Sequence, residues 1–418
     1  MVELLLISTA IVVSVPALVL GCECLLAIFP LRRDRASAQT PRPSIAVIVP
    51  AHNEAAGVNH TIDAIVPQLT EQDRLVVVAD NCTDDTAGVA RELGATVLER
   101  FDDDRRGKGY AIRHAVDHLE SNPPQVVVVI DADCLPLPGC IQRIAGAAYE
   151  SDRPRQAAYI MQPPKHYATP GTLVSAFAVT VKNYVRPRGL QRISMPCLIT
   201  GSGVAYPWEL LYCAPHPESH IVEDMHYSVD LALVGRPPLP CMEALVESPL
   251  PDSRQAAHTQ RTRWEHGHLQ VMLSQGPRLL AGAFRRRSMK LLVMWLELMV
   301  PPLSLLVFSL AAASVLIAGA SWYLANWLPL FALAVNSLVG VIGLSIAWWR
   351  FGRRVLPAAK LLSIPQYVLS KLSIYTKFVT AREDSWVRTA RDSEDGVSVA
   401  GPHFSGSAKP VEKTPAVD

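Results

Sequence analysis

The stretch "VVVVIDADC", residues 126–134, decides the fold class of this chain. Five consecutive β-branched residues form a short apolar run of the kind found in fully buried strands. The run ends at Asp131 and Asp133, two carboxylates separated by one residue. The stretch therefore predicts a strand inside a sheet, with an acidic group at its carboxyl end.

The residues before this strand repeat the same pattern of an apolar run followed by a helical stretch. Short Val/Ile runs that alternate with helices indicate a parallel sheet covered by helices on both faces, so the fold class is α/β. The other predicted strands are "IAVIVP" (45–50), "LVVVA" (75–79) and "ATVLE" (95–99), and the predicted helices run to about Leu69, near Thr86–Leu93 and near Lys108–Leu119.

Carboxylates follow three of the four predicted strands. Glu54 follows the first strand, Asp80 the second, and Asp131 and Asp133 the fourth. Ligands of such sheets bind beyond the carboxyl ends of the strands, so we expect these four side chains to converge on one edge. Paired carboxylates suit Mg²⁺ or Mn²⁺, which prefer oxygen ligands. Capping of the next turn is an equally good explanation of a lone D-x-D.

Two common nucleotide sites are excluded by their motifs. No G-x-G-x-x-G follows the first strand, and "GKG" at 107–109 lacks the third glycine and follows no strand. A G-x-x-x-x-G-K-[ST] loop is also absent from the sequence. The carboxylate edge therefore indicates neither a dinucleotide site nor a P-loop.

Composition places the chain among membrane-attached proteins. Half of the 418 residues are hydrophobic and only 18% are charged, fewer charges than a soluble domain usually has. The net charge of +1 argues against a nucleic-acid partner, which requires a basic surface. The eight cysteines show no C-x-x-C spacing, so we expect reduced thiols on the cytosolic side and no zinc site.

Three segments are long and apolar enough to span a bilayer, which needs about 20 residues. Basic clusters at 32–35, 285–287 and 350–354 all fall on one side if there are three spans, which predicts an outside N-terminus and a cytosolic C-terminus. A cleaved signal peptide is the weaker alternative, because basic residues follow the first apolar segment rather than precede it. The predicted spans are Leu4–Phe29, Leu303–Ala320 and Leu324–Trp349.

This layout divides the chain into five parts of a multi-pass protein of the cell (inner) membrane. Lys360, Lys371 and Lys377 interrupt Leu356–Ala381, which predicts an amphipathic helix in the interface rather than a fourth span. The tail is rich in Ser, Gly and Pro and is predicted to be disordered. The parts are a transmembrane helix in 1–30, a cytosolic domain in 41–285, two transmembrane helices in 290–350, the interfacial region 355–391 and the tail 392–418.

The stretch "TQRTRWEHGH", Thr259–His268, places two arginines and a tryptophan shortly before the second apolar region. Together with the spaced aspartates, it makes the chain resemble the family 2 glycosyltransferases, in particular the membrane-bound group with cellulose synthase, hyaluronan synthase and ceramide glucosyltransferase. The resemblance covers about residues 41–285 and the membrane layout. The matching elements stand in family order: Glu54 in "PAHNEA", Asp80 in "ADNCTDDT", Lys108 in "RGKGYA", Asp131 and Asp133 in "IDADC", Glu223-Asp224 in "IVEDMH", and Gln260, Arg263 and Trp264 in "QRTRW".

The resemblance implies a GT-A-like fold and a donor site for a UDP-sugar. Asp80 and Glu54 would hold the uracil and ribose, and Lys108 would meet the phosphates. Asp133, with Asp131 beside it, would bind the Mg²⁺ or Mn²⁺ ion that bridges the diphosphate. The family often has Tyr at the position of His52, and "GKGYA" departs from its more usual G-K-x-x-A-L-N.

The second half of the motif set implies an acceptor side. Asp224, next to Glu223, matches the general base that removes the acceptor hydroxyl proton, in a single displacement that inverts configuration. Arg263 would reach the diphosphate, and Gln260 and Trp264 would receive the acceptor. Taken alone, Glu223-Asp224 suits a solvated helix start and the Trp/Arg pair suits an interface anchor, but an anchor does not explain Gln260.

A further stretch, "FVTAREDSWVRTARD" (378–392), loosely resembles the gating loop of cellulose and hyaluronan synthases. Thr380, Trp386 and Arg388 are its candidate residues for closing over the donor. A basic juxtamembrane helix is an equally good interpretation.

The sequence thus predicts a membrane-bound inverting glycosyltransferase that moves a sugar from a nucleotide sugar to a lipid-linked or saccharide acceptor, in exopolysaccharide or glycolipid synthesis. Two alternatives stay open. One is a processive β-polysaccharide synthase that extrudes its polymer, and the other is an inactive sugar-binding partner of a synthase complex. Export or synthase subunits are the expected protein partners.

Overall fold

The computed structural model describes residues 2–31, 41–163, 168–213, 222–251 and 253–380. Within them lies one eight-stranded sheet, in which the strands follow the order β3-β2-β1-β4-β7-β6-β8-β5. The strands are β1 Ile45–Ala51, β2 Arg74–Asp80, β3 Thr96–Arg100, β4 Val126–Val129, β5 Leu135–Pro136, β6 Arg155–Gln162, β7 Val204–Pro207 and β8 Leu239–Pro249.

Fifteen α-helices lie in the described residues, together with short 3₁₀ and π-helical turns that are introduced where they matter. They are α1 Val2–Ala27, α2 Val58–Ile65, α3 Thr86–Glu92, α4 Lys108–Leu119, α5 Cys140–Ser151, α6 Pro170–Thr180, α7 Arg186–Arg192, α8 Trp208–Cys213, α9 Glu223–Leu233, α10 Arg254–Arg285, α11 Met289–Leu298, α12 Leu303–Leu324, α13 Leu328–Ala347, α14 Ile364–Ser370 and α15 Leu372–Thr380.

The first half of the sheet is parallel, as the sequence predicts. β1 pairs in parallel with β2 and β4, and β2 pairs in parallel with β3. All four residues of β4 are buried, as are six of the seven residues of β1. The continuous Val/Ile runs therefore form central strands with both faces covered, and the predicted α/β fold class is confirmed.

The second half of the sheet is mixed and was not predicted. β7 pairs antiparallel with β4 and with β6, while β6 and β8 pair in parallel across an irregularity between Ala157 and Ala158. The two-residue strand β5 closes the edge antiparallel to β8. These strands place the segment 197–204, between α7 and β7, next to the carboxyl end of β4.

Two cores lie on the two faces of the sheet. Ile45, Val47 and Val49 face one core, and Ala46 and Ile48 face the other, because successive side chains of a strand point to opposite faces. Helix α4 covers one face, and α2 and α5 cover the other. Each fully buried Val or Ile contributes about 1.5–3 kcal/mol, so this strand alternation fixes the register of the sheet.

Three helices in the described residues are long and apolar enough to cross a membrane: Val2–Leu26, Leu303–Leu324 and Leu328–Gly352. The first packs closely on the third. A Cβ on Gly340 would lie 2.8 Å from the Ala17 carbonyl oxygen, and one on Gly343 would lie 2.5 Å from that of Gly21. Asn336 donates a hydrogen bond to Ser14, 2.8 Å long, across the same interface. Small residues and one polar contact hold these helices together, as is usual in lipid.

The candidate membrane helix α1 is also tied to the half of the chain that contains the sheet. Its residues Ala17, Leu20 and Cys24 belong to the same core as the sheet. Near its C-terminal end, the buried Glu23 accepts a hydrogen bond from Arg186 Nε, 2.5 Å long, in α7. Arg186 Nη2 also donates to the Glu297 carbonyl, 2.9 Å away in α11. One buried guanidinium therefore joins α1, α7 and α11.

The region after α13 differs in detail from the prediction. A single amphipathic helix was expected over Leu356–Ala381, whereas the structure has a 3₁₀ helix, Ala358–Ser363, followed by α14 and α15. Pro357 and Pro365 lie at the starts of two of these segments, where the missing N–H of proline is tolerated but a continuous helix is not. Trp386, Arg388 and the predicted tail lie outside the described residues.

Candidate active site

The loops after β1 and β2 are cross-linked by hydrogen bonds. Asn53 accepts from the Thr83 backbone at 2.7 Å, and the Glu54 backbone donates to Thr86 Oγ1 at 2.8 Å. Asn53 and Asn81 hold left-handed backbone conformations, with φ of 54° and 52°. Asparagine tolerates this region better than most residues, so both tight turns fix the positions of Glu54 and Asp80.

Asp80 is a buried carboxylate that already has a cation beside it. Arg100 Nη1 lies 2.6 Å from its Oδ1, and the Asn81 side chain donates to the same oxygen at 3.1 Å. His52 Nδ1–H donates to the Asp80 carbonyl at 2.7 Å. The imidazole of His52 is therefore oriented beside the carboxyl end of β2, next to the predicted donor site.

Lys108, the first residue of α4, binds across the carboxyl edge of the sheet. Its Nζ lies 2.5 Å from Asp131 Oδ1 and 3.1 Å from the Gly201 carbonyl oxygen. Burial lowers the pKa of Lys108, but the nearby Asp131 and Glu223 outweigh this effect and hold the pKa well above its usual value. The ammonium is therefore charged at any physiological pH and neutralises part of the acidic cluster.

Asp131, Asp133 and Cys134 form a group whose possible ligand atoms lie within 4.8 Å of one another. Burial, and then the like charge of Asp131, raise the pKa of Asp133 to about 6. Burial raises the pKa of the Cys134 thiol well above its usual range, and the thiol donates toward Tyr159 Oη at 3.6 Å. Cys134 therefore stays protonated, and the two carboxylates are the side chains of this group that could offer oxygen ligands.

Gly201 lies between Asp131 and Asp224. A Cβ added there would lie 3.7 Å from Asp224 Oδ2 and 3.9 Å from Asp131 Oδ2. With a φ of +102°, the residue has a conformation that L-residues with side chains rarely adopt. Its carbonyl also accepts from Lys108, so the glycine brings the backbone to the centre of the charged groups.

Glu223 and Asp224 open helix α9 and are both enclosed. Burial, and then Asp224, raise the pKa of Glu223 to about 7. Burial also raises the pKa of Asp224, although Lys108 and the Met225 backbone N–H oppose the shift. The N–H of Met225 donates to Asp224 Oδ1 at 2.7 Å and fixes the carboxylate. The Asp224 carboxylate is thus fixed in orientation and has a raised pKa, both of which suit a general base.

Helix α10 brings "QRTRW" to the same place. Arg263 is largely buried, and its pKa is lowered by burial while Glu223 and Asp131 oppose the shift. Trp264, half-buried, packs against the core that includes the sheet. Gln260 lies one turn earlier on this helix and is also half-buried. Arg263 therefore lies close enough to Glu223 and Asp131 for their charges to act on it, and Trp264 packs toward the core.

Two glycines and a lysine in this region escaped the sequence analysis. Gly267 lets α10 approach the start of α9, because a Cβ there would lie 2.6 Å from Val222 Cγ1. Lys182, in a π-helical turn over Val181–Val185, has its pKa lowered by burial, with Asp224 as the largest opposing charge. π-Helical turns often mark functional sites, but "VKNYV" carries no motif, and Gly201 and Gly267 gain their roles only from distant partners.

The candidate gating residues are only partly described. Thr380 is an exposed residue at the end of α15, and its hydroxyl donates to the Thr376 carbonyl at 3.1 Å. None of its described contacts is with the acidic cluster. The gating assignment therefore stays a prediction.

The comparison with protein families follows the same segment. A family model described as "Glycosyltransferase like family 2" matches residues 41–267, more than half of the chain. The chain belongs to this glycosyltransferase family. Its predicted activity as a glycosyltransferase is thereby confirmed.

A solved structure shares the fold of this glycosyltransferase. It is a mannosyltransferase from Pyrobaculum calidifontis in complex with GDP-Man and Mn²⁺. The TM-score is 0.54 at 20% sequence identity, and the match covers 90% of this chain and 100% of that chain. The similarity confirms the expected GT-A-like fold.

Two similar curated proteins are 4,4'-diaponeurosporenoate glycosyltransferases of Staphylococcus aureus, from strains bovine RF122 / ET3-1 and USA300. They are 37% and 36% identical over 109 residues, which is 24% of this chain. The match spans 28% of the length of each relative. It supports the family assignment and covers less than a third of those proteins.

Proposed function

We propose that this glycosyltransferase is a membrane-bound inverting enzyme that uses a nucleotide sugar, a divalent cation and a lipid-linked acceptor. The observation that carries the proposal is the cluster of charged side chains at the carboxyl edge of the sheet. Within it, Lys108 lies 2.5 Å from Asp131, and Asp131 and Asp224 lie on either side of Gly201. Arg263 reaches the same charges from α10.

The donor site of the proposal extends from β2 to β4. Asp80 and Glu54 hold the base and ribose of a UDP-sugar, since both lie on turns fixed by hydrogen bonds. Arg100, which pairs with Asp80, leaves that carboxylate with little net charge to repel a nucleotide. Lys108 and Arg263, two cations of the charged cluster, face the diphosphate.

The residues at β4 fit a divalent cation. Asp131 and Asp133 supply carboxylate oxygens, the ligands that Mg²⁺ and Mn²⁺ prefer, whereas Cys134 keeps its proton. The raised pKa of Asp133 reflects burial and repulsion from Asp131, both of which a bound cation would offset. A cation there supplies electrostatic stabilisation of the leaving diphosphate.

The residues of the charged cluster account for the proton and the negative charge of the transfer step. The acceptor hydroxyl oxygen forms a bond to the anomeric carbon while the bond between that carbon and the diphosphate oxygen breaks. Asp224 takes the hydroxyl proton, and the negative charge that leaves with the nucleoside diphosphate is met by Lys108 and Arg263. One displacement inverts the anomeric configuration.

The membrane attachment supports an acceptor that comes from the bilayer. The core of the catalytic half includes residues of α1, and Glu23 of that helix pairs with Arg186. Single transfer is favoured over polymer extrusion, because the described part of the chain has only three helices apolar enough to span. The two relatives, named for one compound, agree with transfer to a single acceptor molecule.

The proposal is tested with the full chain in nanodiscs, incubated with a panel of labelled UDP- and GDP-sugars and a membrane lipid extract. Asp224→Asn should lose about two to four decades of transfer rate, the usual contribution of a general base, and keep its affinity for UDP. Arg263→Ala should lose both rate and UDP affinity.

Glu223→Gln is the matched control, since it makes the same chemical change at the neighbouring residue. It should cost much less rate than Asp224→Asn. Loss of UDP affinity in Asp224→Asn with full affinity in Arg263→Ala would show that the two roles are reversed. The absence of transfer from every nucleotide sugar would reject the donor assignment.

A further inference from the structure

A large cavity lies on the side of α10 away from the candidate donor site. Its volume is about 960 Å³, and its walls are the first turns of α6 and α10 together with α14 and α15. The lining includes Thr169, Ala257, Arg261, Gln366 and Tyr367. None of the acidic residues of the candidate active site is part of it. The cavity is therefore separate from the charged cluster at the sheet edge.

Helix α10 separates the two sites because its two faces carry different residues. Gln260, Arg263 and Trp264 form the motif face, whereas Ala257, His258 and Arg261 line the cavity. An α-helix turns about 100° per residue, so Arg261 and Arg263, two residues apart, point to nearly opposite sides of α10.

Among the described residues that line the cavity, the lysine and arginine side chains are Arg261 and Lys371, and none is a carboxylate. Arg261 donates its Nε–H to the Ala257 carbonyl at 2.7 Å, and no carboxylate among the described residues pairs with its guanidinium. His258 lines the same wall. Lys371, which also lines the cavity, forms an ion pair with Glu265, so these two charges cancel. Arg261 therefore remains as the uncompensated cation of the described wall.

The helical segments from Ala358 to Thr380, which contribute residues to the cavity, also carry exposed apolar side chains outside it. Leu369 is 59% exposed and Leu362 is 89% exposed, and Leu372 and Val379 are exposed further along. They belong to the short helices that follow the candidate membrane helix α13. Apolar side chains of this kind suit the headgroup and acyl boundary of a bilayer.

We propose that this cavity is a binding site for the phosphate of an anionic phospholipid, held by Arg261, with its acyl chains along α14 and α15. A guanidinium binds phosphate through paired hydrogen bonds, and the first turns of α6 and α10 add the positive ends of two helix dipoles. A nucleotide is disfavoured, since α14 and α15 carry exposed apolar side chains next to residues of the cavity. The lipid would seat α14 and α15 on the bilayer and brace the helix that carries Arg263 and Trp264.

The test uses the full chain in nanodiscs made with phosphatidylcholine alone or with added phosphatidylglycerol. Native mass spectrometry after release from the disc measures the phosphatidylglycerol retained by each protein. The wild type should retain bound phosphatidylglycerol, and Arg261→Gln should lower the affinity roughly tenfold, the effect of losing one charge-assisted contact. Hydrogen exchange of the α14 and α15 amides should rise in the same variant.

Arg285→Gln is the matched control, because it removes the same charge from the last turn of the same helix, outside the cavity. It should retain as much phosphatidylglycerol as the wild type. Gln366→Trp provides a second route, since Gln366 is exposed and lines the cavity, and a bulky side chain there blocks entry without removing a charge. It should also lose the lipid.

Three results would overturn the proposal. Equal retention by wild type, Arg261→Gln and Gln366→Trp would place the lipid elsewhere. An equal loss in Arg285→Gln would show general attraction to an anionic surface. Displacement of the lipid by inorganic phosphate, with protection of α14 and α15 unchanged, would identify a site for free phosphate.

Discussion

Substituting Gly267 by alanine should displace the proposed general base, Asp224, and leave the rest of the fold in place. A Cβ on Gly267 would lie 2.6 Å from Val222 Cγ1 and 2.8 Å from Val222 Cγ2, about 1 Å closer than carbon atoms normally approach. Val222 immediately precedes Glu223 and Asp224, so relief of this overlap moves the start of α9 away from α10. Overpacking of this size costs about 1–3 kcal/mol, partly offset by about 0.8–1 kcal/mol from the better helix propensity of alanine.

The consequence for activity should exceed the consequence for stability. A misplacement of about 1 Å at a reacting group can lower a rate roughly 100-fold. We therefore expect Gly267→Ala to lose about two decades of kcat, while UDP affinity and melting temperature stay close to wild type. Initial rates, calorimetric UDP titration and a thermal melt of the full chain in nanodiscs measure the three quantities.

Gly282 offers a control on the same two helices. A Cβ there would lie 2.7 Å from Leu233 Cδ2, the flexible end of a side chain near the end of α9. Gly282→Ala therefore adds the same group to α10 with similar overlap, far along α9 from Asp224. If both variants lose kcat equally, or if neither does, the reasoning that Gly267 positions the base is refuted.

Three further predictions follow from the site and its supports. Asp133→Ala should abolish turnover, as should EDTA with the wild type, whereas full activity in EDTA would exclude the cation. Burial raises the pKa of Glu297 to about 8, although the charge of Arg186 opposes the shift. The native state therefore favours the neutral carboxyl, and the free energy of unfolding of the wild type should fall as pH rises from about 4.5 through 8. Glu297→Gln should remove that loss in thermal melts, and an unchanged pH profile would contradict it. A reporter in the connection Ala325–Trp327, between α12 and α13, should be external, and one fused after Asp392 should be cytosolic, which protease protection checks. An external signal from the second reporter would mean an additional span.

The strands of the parallel half and the helices between them were predictable because each forms from residues that are consecutive in the sequence. The four strands of the parallel half begin and end within one residue of their predicted positions, as the β1 range Ile45–Ala51 illustrates. Buried parallel strands need continuous apolar runs, and the helices between them need their own periodicity, so both leave a signal in the sequence. The candidate membrane helices follow from the same kind of signal.

The candidate site was predictable only in its motif residues. Asp131, Asp133 and Lys108 stand next to strand ends or a helix start, and their convergence follows from the parallel arrangement. Asp224 and Arg263 depended on a resemblance to a known family, because acids and arginines in helices are common. The geometry that brings them to β4 involves residues more than 90 positions apart.

The sequence by itself therefore determined the fold class, the four strands of the parallel half and the apolar helices, since each depends on neighbours in the chain. The tertiary structure alone decided how β5 to β8 complete the sheet, because short strands with mixed burial leave weak patterns. It also decided the ion pair of Glu23 with Arg186 and the contact of Gly267 with Val222. A buried charge or a missing Cβ acquires its meaning only from the partner that folding brings to it, and no local pattern specifies that partner.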